Sequence, residues 1–211
     1  MNHEELLDDY ISAHIDAEPE ALHRLWRRTY SRHVYPRMCS GHVQGRLLAM
    51  LAAIVRPRRV VELGTFTGYS ALCLAEGMPP GGELHTIEID DEMEPELLEL
   101  FAQPHPGAPV TLHTGDALDI LPQLPGKWDM AFIDANKRLY TEYYELLVPR
   151  MNPGGIILAD NTLWSGKVPD PEAHDTQTEA LRRFNDRVAA DPRVSKVILP
   201  VRDGLTVIRV L

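Results

Sequence analysis

The sequence holds only two cysteines in 211 residues, Cys39 and Cys73, and they stand at no metal-binding or redox spacing. A disulfide or zinc staple is therefore not expected, and the thiol usage fits a reducing cytoplasm. No apolar run approaches the roughly 18 residues a membrane span needs. The start, Met1-Asn2-His3-Glu4-Glu5, is acidic and polar, unlike a secretory leader. Internal repeats and low-complexity linkers are also missing. The nine histidines show no ligand spacing. What remains is an ordinary globular composition, with 44% hydrophobic and 25% charged residues, long enough to bury its own core as one domain.

Charge of one sign is missing twice. From Ala21 to Val61 there are nine arginines and no Asp or Glu; from Glu62 to Gly126 there are twelve acids and no Lys or Arg. A net charge of −10 speaks against a generic nucleic-acid binder. The arginine stretch reads either as a helical arm docked on the acidic remainder, in its own subunit or a second one, or as a patch for an anionic substrate.

The periodicity predicts helices over the first third. Leu6, Leu7, Tyr10, Ile11 and His14 share one face, a second helix runs from Pro19 to about His33, and a third from about His42 to Val55. The period then changes. Strands are expected at 59–63, 83–89, 110–113, 128–133 and 156–159, with helices at 70–76, 92–101, 117–121, 140–151 and 176–190. Two further strands, 194–199 and 205–210, join through the turn signal Arg202-Asp203-Gly204. This alternation predicts an α/β, doubly wound, Rossmann-like sheet with one antiparallel strand. The chain divides into a helical arm, 1–56, and an α/β core, 57–211. Ligands in such sheets bind beyond the carboxyl ends of the strands.

The first strand ends in Glu62-Leu63-Gly64-Thr65-Phe66-Thr67-Gly68-Tyr69-Ser70. Phe66 stands where a dinucleotide fingerprint needs its second glycine, which argues against a nicotinamide dehydrogenase. Glu88, at the end of the second strand, can accept from a ribose diol. Asp116, after the third, either caps a short helix or accepts from an adenine amino group. Glycine loop and two acids together form a nucleoside pocket of the kind that binds S-adenosylmethionine. After the fourth and fifth strands come Asp134-Ala135-Asn136-Lys137 and Asp160-Asn161-Thr162-Leu163-Trp164. Neighbouring strands would bring Asp134, Asp160 and Asn161 to one edge. Hard oxygen donors without His or Cys suit Mg²⁺ or Ca²⁺; helix capping suits each side chain singly, but together, at two adjacent strand ends, they favour the metal. Trp164 is either a flat wall for an aromatic acceptor or ordinary packing. The Pro- and Asp-rich segment 167–175 reads as a mobile flap.

These residues resemble the cation-dependent O-methyltransferases, the group of catechol and caffeoyl-CoA O-methyltransferases. The likeness runs from about Met38 to the C-terminus, and Asp160 to Trp164 is its most specific piece. The resemblance implies a class I S-adenosylmethionine methyltransferase fold with seven strands. It implies Asp134, Asp160 and Asn161 as ligands of Mg²⁺ (or Ca²⁺ or Mn²⁺), and Lys137 as general base. It places Ser40, Glu62, Gly64, Phe66, Gly68, Ser70, Glu88, Ile89, Asp116, Ala117 and Asp134 around the methyl donor. Met38, Lys137 and Trp164 would meet the acceptor. It also implies a homodimer through the N-terminal helices.

Two departures stand out. Val43 replaces a glutamate that many relatives carry before the Gln of the N-terminal motif. Val197 stands where the animal catechol enzyme has a substrate-orienting glutamate. The expected activity is metal-dependent methylation of a catechol-type phenol. Alternatives are a hydroxylated uridine of transfer RNA, a CoA-thioester phenol, or a silent module that only binds the donor.

Overall fold

The computed structural model describes residues 3–211. Of the leader-free reading of the N-terminus, Met1 and Asn2 lie outside the described residues. The chain begins with α1 (His3–Ala13), α2 (Glu20–Arg32) and α3 (Gly41–Val55). Strands β1 (Arg59–Leu63), β2 (Glu83–Glu88), β3 (Val110–Thr114), β4 (Trp128–Ile133) and β5 (Met151–Ala159) follow. Helices α4 (Tyr69–Gly77), α5 (Glu94–Ala102), α6 (Ala117–Ile120) and α7 (Tyr140–Leu147) connect them. After α8 (Thr176–Ala190), strands β6 (Val194–Leu199) and β7 (Leu205–Val210) close the chain.

The seven strands form one sheet in the order β3-β2-β1-β4-β5-β7-β6. Only β7 runs against its neighbours. The order reverses between β1 and β4, so a crevice opens at their carboxyl ends, as the alternation predicts. Both faces of the sheet are covered. Val61, Leu63, Ala131 and Ile133 point into one buried cluster with Tyr140, Leu147 and Phe184 of α7 and α8. Val60, Met130, Phe132 and Leu158 point into the other, with Leu48 and Ala52 of α3 and Leu74 of α4. Successive residues of one strand thus serve opposite cores, which is why the strands read as unbroken apolar runs.

The segment Pro36–Val55 is long and apolar enough, by composition, to cross a membrane. One side of it packs on the core, while Met50 and Ile54 stay exposed. Gly45 lies against Tyr69 and Cys73 of α4, and Ala49 and Ala52 against Gly77, where an added Cβ would stand 2.1 Å from the Ala49 carbonyl.

Some boundaries differ from expectation. Strand β5 starts at Met151 rather than Ile156, and α7 stops at Leu147. Met151 pairs with Trp128, and Asn152 Nδ2 donates to Asp129 Oδ1 at 2.7 Å, which draws the chain into the sheet early. Helix α5 begins at Glu94, after a tight turn over Asp91–Met93 whose first amides Asp90 caps.

The arginine-rich stretch docks on the acidic stretch of its own chain. Arg28 pairs with Glu96 at 3.0 Å and Arg59 with Glu83 at 2.5 Å, while Arg46 grips Glu76 through two bonds of 2.7 and 2.8 Å. The segment 167–175 is not a free flap. Arg182 of α8 donates to the carbonyls of Val168 at 2.9 Å, Ala173 at 2.7 Å and Lys167 at 3.1 Å, and also to that of Asp170.

Candidate active site

Backbone hydrogen bonds continue one step past the strands and align their ends. Gly115 N donates to Glu88 O at 2.7 Å, Gly64 N to Ile87 O at 2.9 Å, Asp134 N to Leu63 O at 2.9 Å, and Asp160 N to Ile133 O at 3.0 Å. Residues 115, 88, 64, 134 and 160 therefore form one row along the carboxyl edge. Above that row lies a cleft of about 1110 Å³. Ser40, Gly64, Phe66, Ser70, Glu88, Ile89, Asp116, Ala117, Asp134, Asp160 and Asn161 all line it, as do Met38, Lys137 and Trp164. Two predicted residues do not.

The first is Glu62, which is wholly buried beneath the floor. Thr86 Oγ1 donates to its Oε2 at 2.5 Å, while Oε1 has no hydrogen-bond partner. Burial pushes this carboxyl up to about 8, against the opposing pull of the nearby Ser70 and Thr86 hydroxyls. The second is Gly68, a left-handed residue with φ +82° at the start of α4. A Cβ there would stand 2.7 Å from Leu100 Cδ2 and 3.0 Å from Phe101 Cζ, so this glycine serves packing against α5 rather than the cleft. Gly64 behaves differently. At φ +95°, its Cβ would lie 2.2 Å from the Asp134 carbonyl oxygen, so only glycine lets β1 pass so close to β4.

Glu88 organises the loop above it. Its Oε2 accepts from the amides of Thr65 at 3.0 Å and Phe66 at 2.7 Å, and its Oε1 from Asp90 N at 3.0 Å. A carboxylate oxygen has two lone pairs, so capacity towards the cleft remains. His33 closes this end with its ring edge-on to Phe66, centroids 5.3 Å apart. Asp116 caps α6, accepting from Leu118 N at 2.9 Å, and still lines the cleft; the plain and the functional reading hold together there.

At the other end, Lys137 Nζ lies 2.6 Å from Asp134 Oδ1 and 2.8 Å from Tyr140 Oη. The Tyr140 hydroxyl donates in turn towards the Asp160 carbonyl at 3.0 Å. Burial holds that phenol well above its ordinary range, so it stays protonated. Asp160 is nearly sealed off. Its Oδ2 accepts from Gln44 Nε2 at 2.7 Å and its Oδ1 from Asn161 N at 2.9 Å. Burial and the nearby Asp134 carboxylate raise its pKa. Asp134 does not cap the turn that follows it; Asn136 does, accepting from Arg138 N at 3.2 Å. Asn161, with φ +58°, is held in the left-handed region. Trp164 packs on the buried cluster beneath α7 and also faces the cleft, so both readings of it apply.

The donor set suits a hard cation. A buried carboxylate, Asp160, and a half-buried one, Asp134, stand at adjacent strand ends with Asn161 next in the chain, and the repulsion between the two acids is one that a divalent ion would relieve. The described residues contain no group of three or more His, Cys, Asp or Glu placed to hold a metal, so Asn161 and solvent would have to complete the shell.

Residues 10–211 match the model of a family described as O-methyltransferase. The chain belongs to that family, and its fold is that of S-adenosylmethionine-dependent O-methyltransferases. It is 34% identical to a catechol O-methyltransferase of Niastella koreensis over 92% of this chain and 90% of that one. It is 33% identical to a caffeoyl-CoA O-methyltransferase of Stellaria longipes over 98% and 89%. A mouse catechol O-methyltransferase domain-containing protein is 36% identical, and the match spans 64% of its length. Among solved structures, the O-methyltransferase TomG of Streptomyces achromogenes, in complex with S-adenosylmethionine, superposes with a TM-score of 0.90 at 32% identity. That match covers 100% of this chain and 99% of TomG.

Sequence reasoning missed three residues at this O-methyltransferase site. Gln44 was legible only as the Gln of the N-terminal motif, Tyr140 only as the start of a helix, and Arg202 only as part of a turn. Their roles depend on contacts across the fold, and no local pattern signals them.

Proposed function

We propose that the chain transfers the methyl group of S-adenosylmethionine to a hydroxyl of a small catechol-type aromatic, with a divalent cation at Asp134, Asp160 and Asn161. One observation carries this reading. A loop built to approach a nucleoside and an all-oxygen acidic cluster open into the same cleft, side by side at the β1/β4 crossover.

Glu88 would take the ribose hydroxyls and Asp116 the adenine edge. Ser40, Gly64 and Ser70 would meet the amino-acid end, and Ile89 and Ala117 would flank the base. Glu62 lies beneath the floor and braces it through Thr86 rather than touching the donor. A bound divalent cation would lower the pKa of a phenol, ordinarily about 10, and favour two adjacent hydroxyls over one. Lys137 is the group placed to take the phenol proton at Nζ. Its Nζ is held at that spot by Asp134 Oδ1 at 2.6 Å and Tyr140 Oη at 2.8 Å. Met38 and Trp164 would bracket the acceptor ring.

The helical arm and the core would act as one unit, because from the arm Ser40 lines the cleft and Gln44 bonds to Asp160. Exposed Leu6, Leu7 and Tyr10, with Met50 and Ile54, offer a face for a second copy of the chain. Both thiols are buried and free, in keeping with a cytoplasmic location.

The test is methyl transfer from labelled S-adenosylmethionine to a catechol panel and to hydroxyuridine-containing tRNA, each with Mg²⁺ and with EDTA. Metal-dependent product on a catechol is the expected result. Full activity in EDTA would refute the cation, and product on tRNA alone would refute the acceptor. Four of the nine arginines, Arg24, Arg28, Arg46 and Arg59, are already paired within the chain, which leaves fewer for a phosphate backbone.

A further inference from the structure

We infer that Arg202 and Gln44 are positioning residues that set the orientation of the Asp160 carboxylate. This rests on the reading of Asp160 as a cation ligand.

Arg202 lies in the turn between β6 and β7, and Gln44 lies in the first turn of α3. The Arg202 guanidinium donates to Gln44 Oε1 at 2.9 Å. It also donates to the carbonyls of Cys39 at 3.2 Å and Arg37 at 3.4 Å, and to that of Ser40. Gln44 Nε2 then donates to Asp160 Oδ2 at 2.7 Å, and the Asn161 amide takes Oδ1. Each carboxylate oxygen is anchored once and keeps lone-pair capacity for a ligand.

The polarity of this relay has a physical cause. A glutamine amide can present either end to a neighbour, and its two orientations have nearly the same shape. Arginine only donates, so Arg202 demands the amide oxygen and thereby sends Nε2 to Asp160. The flipped amide would set N–H groups against the guanidinium and an oxygen against the carboxylate. Gln44 is 1% and Asp160 3% exposed, so water would not soften either mismatch.

The backbone of Arg202 adds a second observation. It sits at φ +48°, a left-handed conformation that strains a residue with a Cβ. Glycine would fit there without strain, and four acceptors for the side chain offset that cost. The same turn holds the cation-side loop by its backbone. Asp203 O accepts from Leu163 N at 2.7 Å and Trp164 N at 3.2 Å, and Gly204 O from Thr162 N at 3.0 Å. Turn and ligand loop therefore move as one piece, and Arg202 extends that piece to α3.

The experiment is Mn²⁺ binding to the full chain by calorimetry without acceptor, beside S-adenosylhomocysteine affinity and Tm. The variants are Arg202→Gly, Arg202→Lys, Gln44→Leu and the Arg202→Gly/Gln44→Leu double variant. Arg202→Gly relieves the turn but leaves the four acceptors without their donor, so its Tm should not rise, while its Kd for Mn²⁺ weakens by about tenfold or more, as loss of outer-shell support does. Gln44→Leu should weaken Mn²⁺ to a similar degree, and the double variant no further, because both cut one relay. Arg202→Lys should recover part of the loss. S-adenosylhomocysteine affinity should stay as in the parent throughout. An Arg202→Gly variant that binds Mn²⁺ like the parent, or losses that add in the double variant, would overturn the relay. A parent chain that binds S-adenosylhomocysteine but no Mn²⁺ would overturn the cation reading and the relay with it.

Discussion

The two ends of the cleft are built in different ways. The donor end is a backbone construction drawn from consecutive chain. Gly64 to Ser70 turns tightly, and one carboxylate, Glu88, gathers the amides of Thr65 and Phe66. The acidic end is a side-chain construction drawn from distant chain. Gln44 reaches Asp160 across 116 positions and Arg202 reaches Gln44 across 158. A site made of local backbone tolerates changes elsewhere in the chain. A site made of remote side chains depends on every element that carries one.

Breaking the acidic end should separate the two most sharply. Asp160→Ala should lower kcat/KM by more than about a hundredfold, beyond the usual cost of outer-shell losses. S-adenosylhomocysteine should still bind within a few-fold of the parent, as calorimetry would read. Equal loss of both would mean that the ends are not independent. At the donor end the opposite split is expected. Glu88→Gln removes one anionic acceptor and should weaken donor binding by roughly tenfold or more, the worth of hydrogen bonds to a charged group. At saturating donor, kcat should fall far less.

A third effect, read in stability rather than in activity, lies under the floor and sharpens the comparison through pH. The Glu62 carboxyl is raised from 4.5 to about 8 by burial. The folded chain therefore keeps a proton that the unfolded chain has lost between those values. Stability from this group is full below the unfolded pKa and is lost as pH rises through the folded one. Urea midpoints should fall from pH 5 to pH 8, and Glu62→Gln should flatten that fall. A slope unchanged in Glu62→Gln would place the titrating group elsewhere.

The order of strands and helices was legible because apolar period and turn residues are local. So was the row of residues at the strand ends, since each follows its strand directly. The start of β5 was not legible. Pro153 and two glycines between Met151 and Ile156 read as loop, while pairing with β4 makes that segment strand. Gly64 and Gly68 look alike in the sequence, yet one makes room for Asp134 and the other for Leu100 and Phe101. Segment 167–175 read as free because its anchor, Arg182, lies in the following helix.

The sequence by itself determined the doubly wound sheet, the glycine loop and the acids at the strand ends. Hydrophobic period, backbone freedom and residue type act over a few positions, so they are written in order along the chain. Tertiary structure alone decided that Lys137 faces both Asp134 and Tyr140, that Glu62 is sealed from the cleft, and that Gln44 and Arg202 orient Asp160. Those are matters of direction and distance between side chains. They exist only once the sheet, the helical arm and the last hairpin have packed against one another and shut out water.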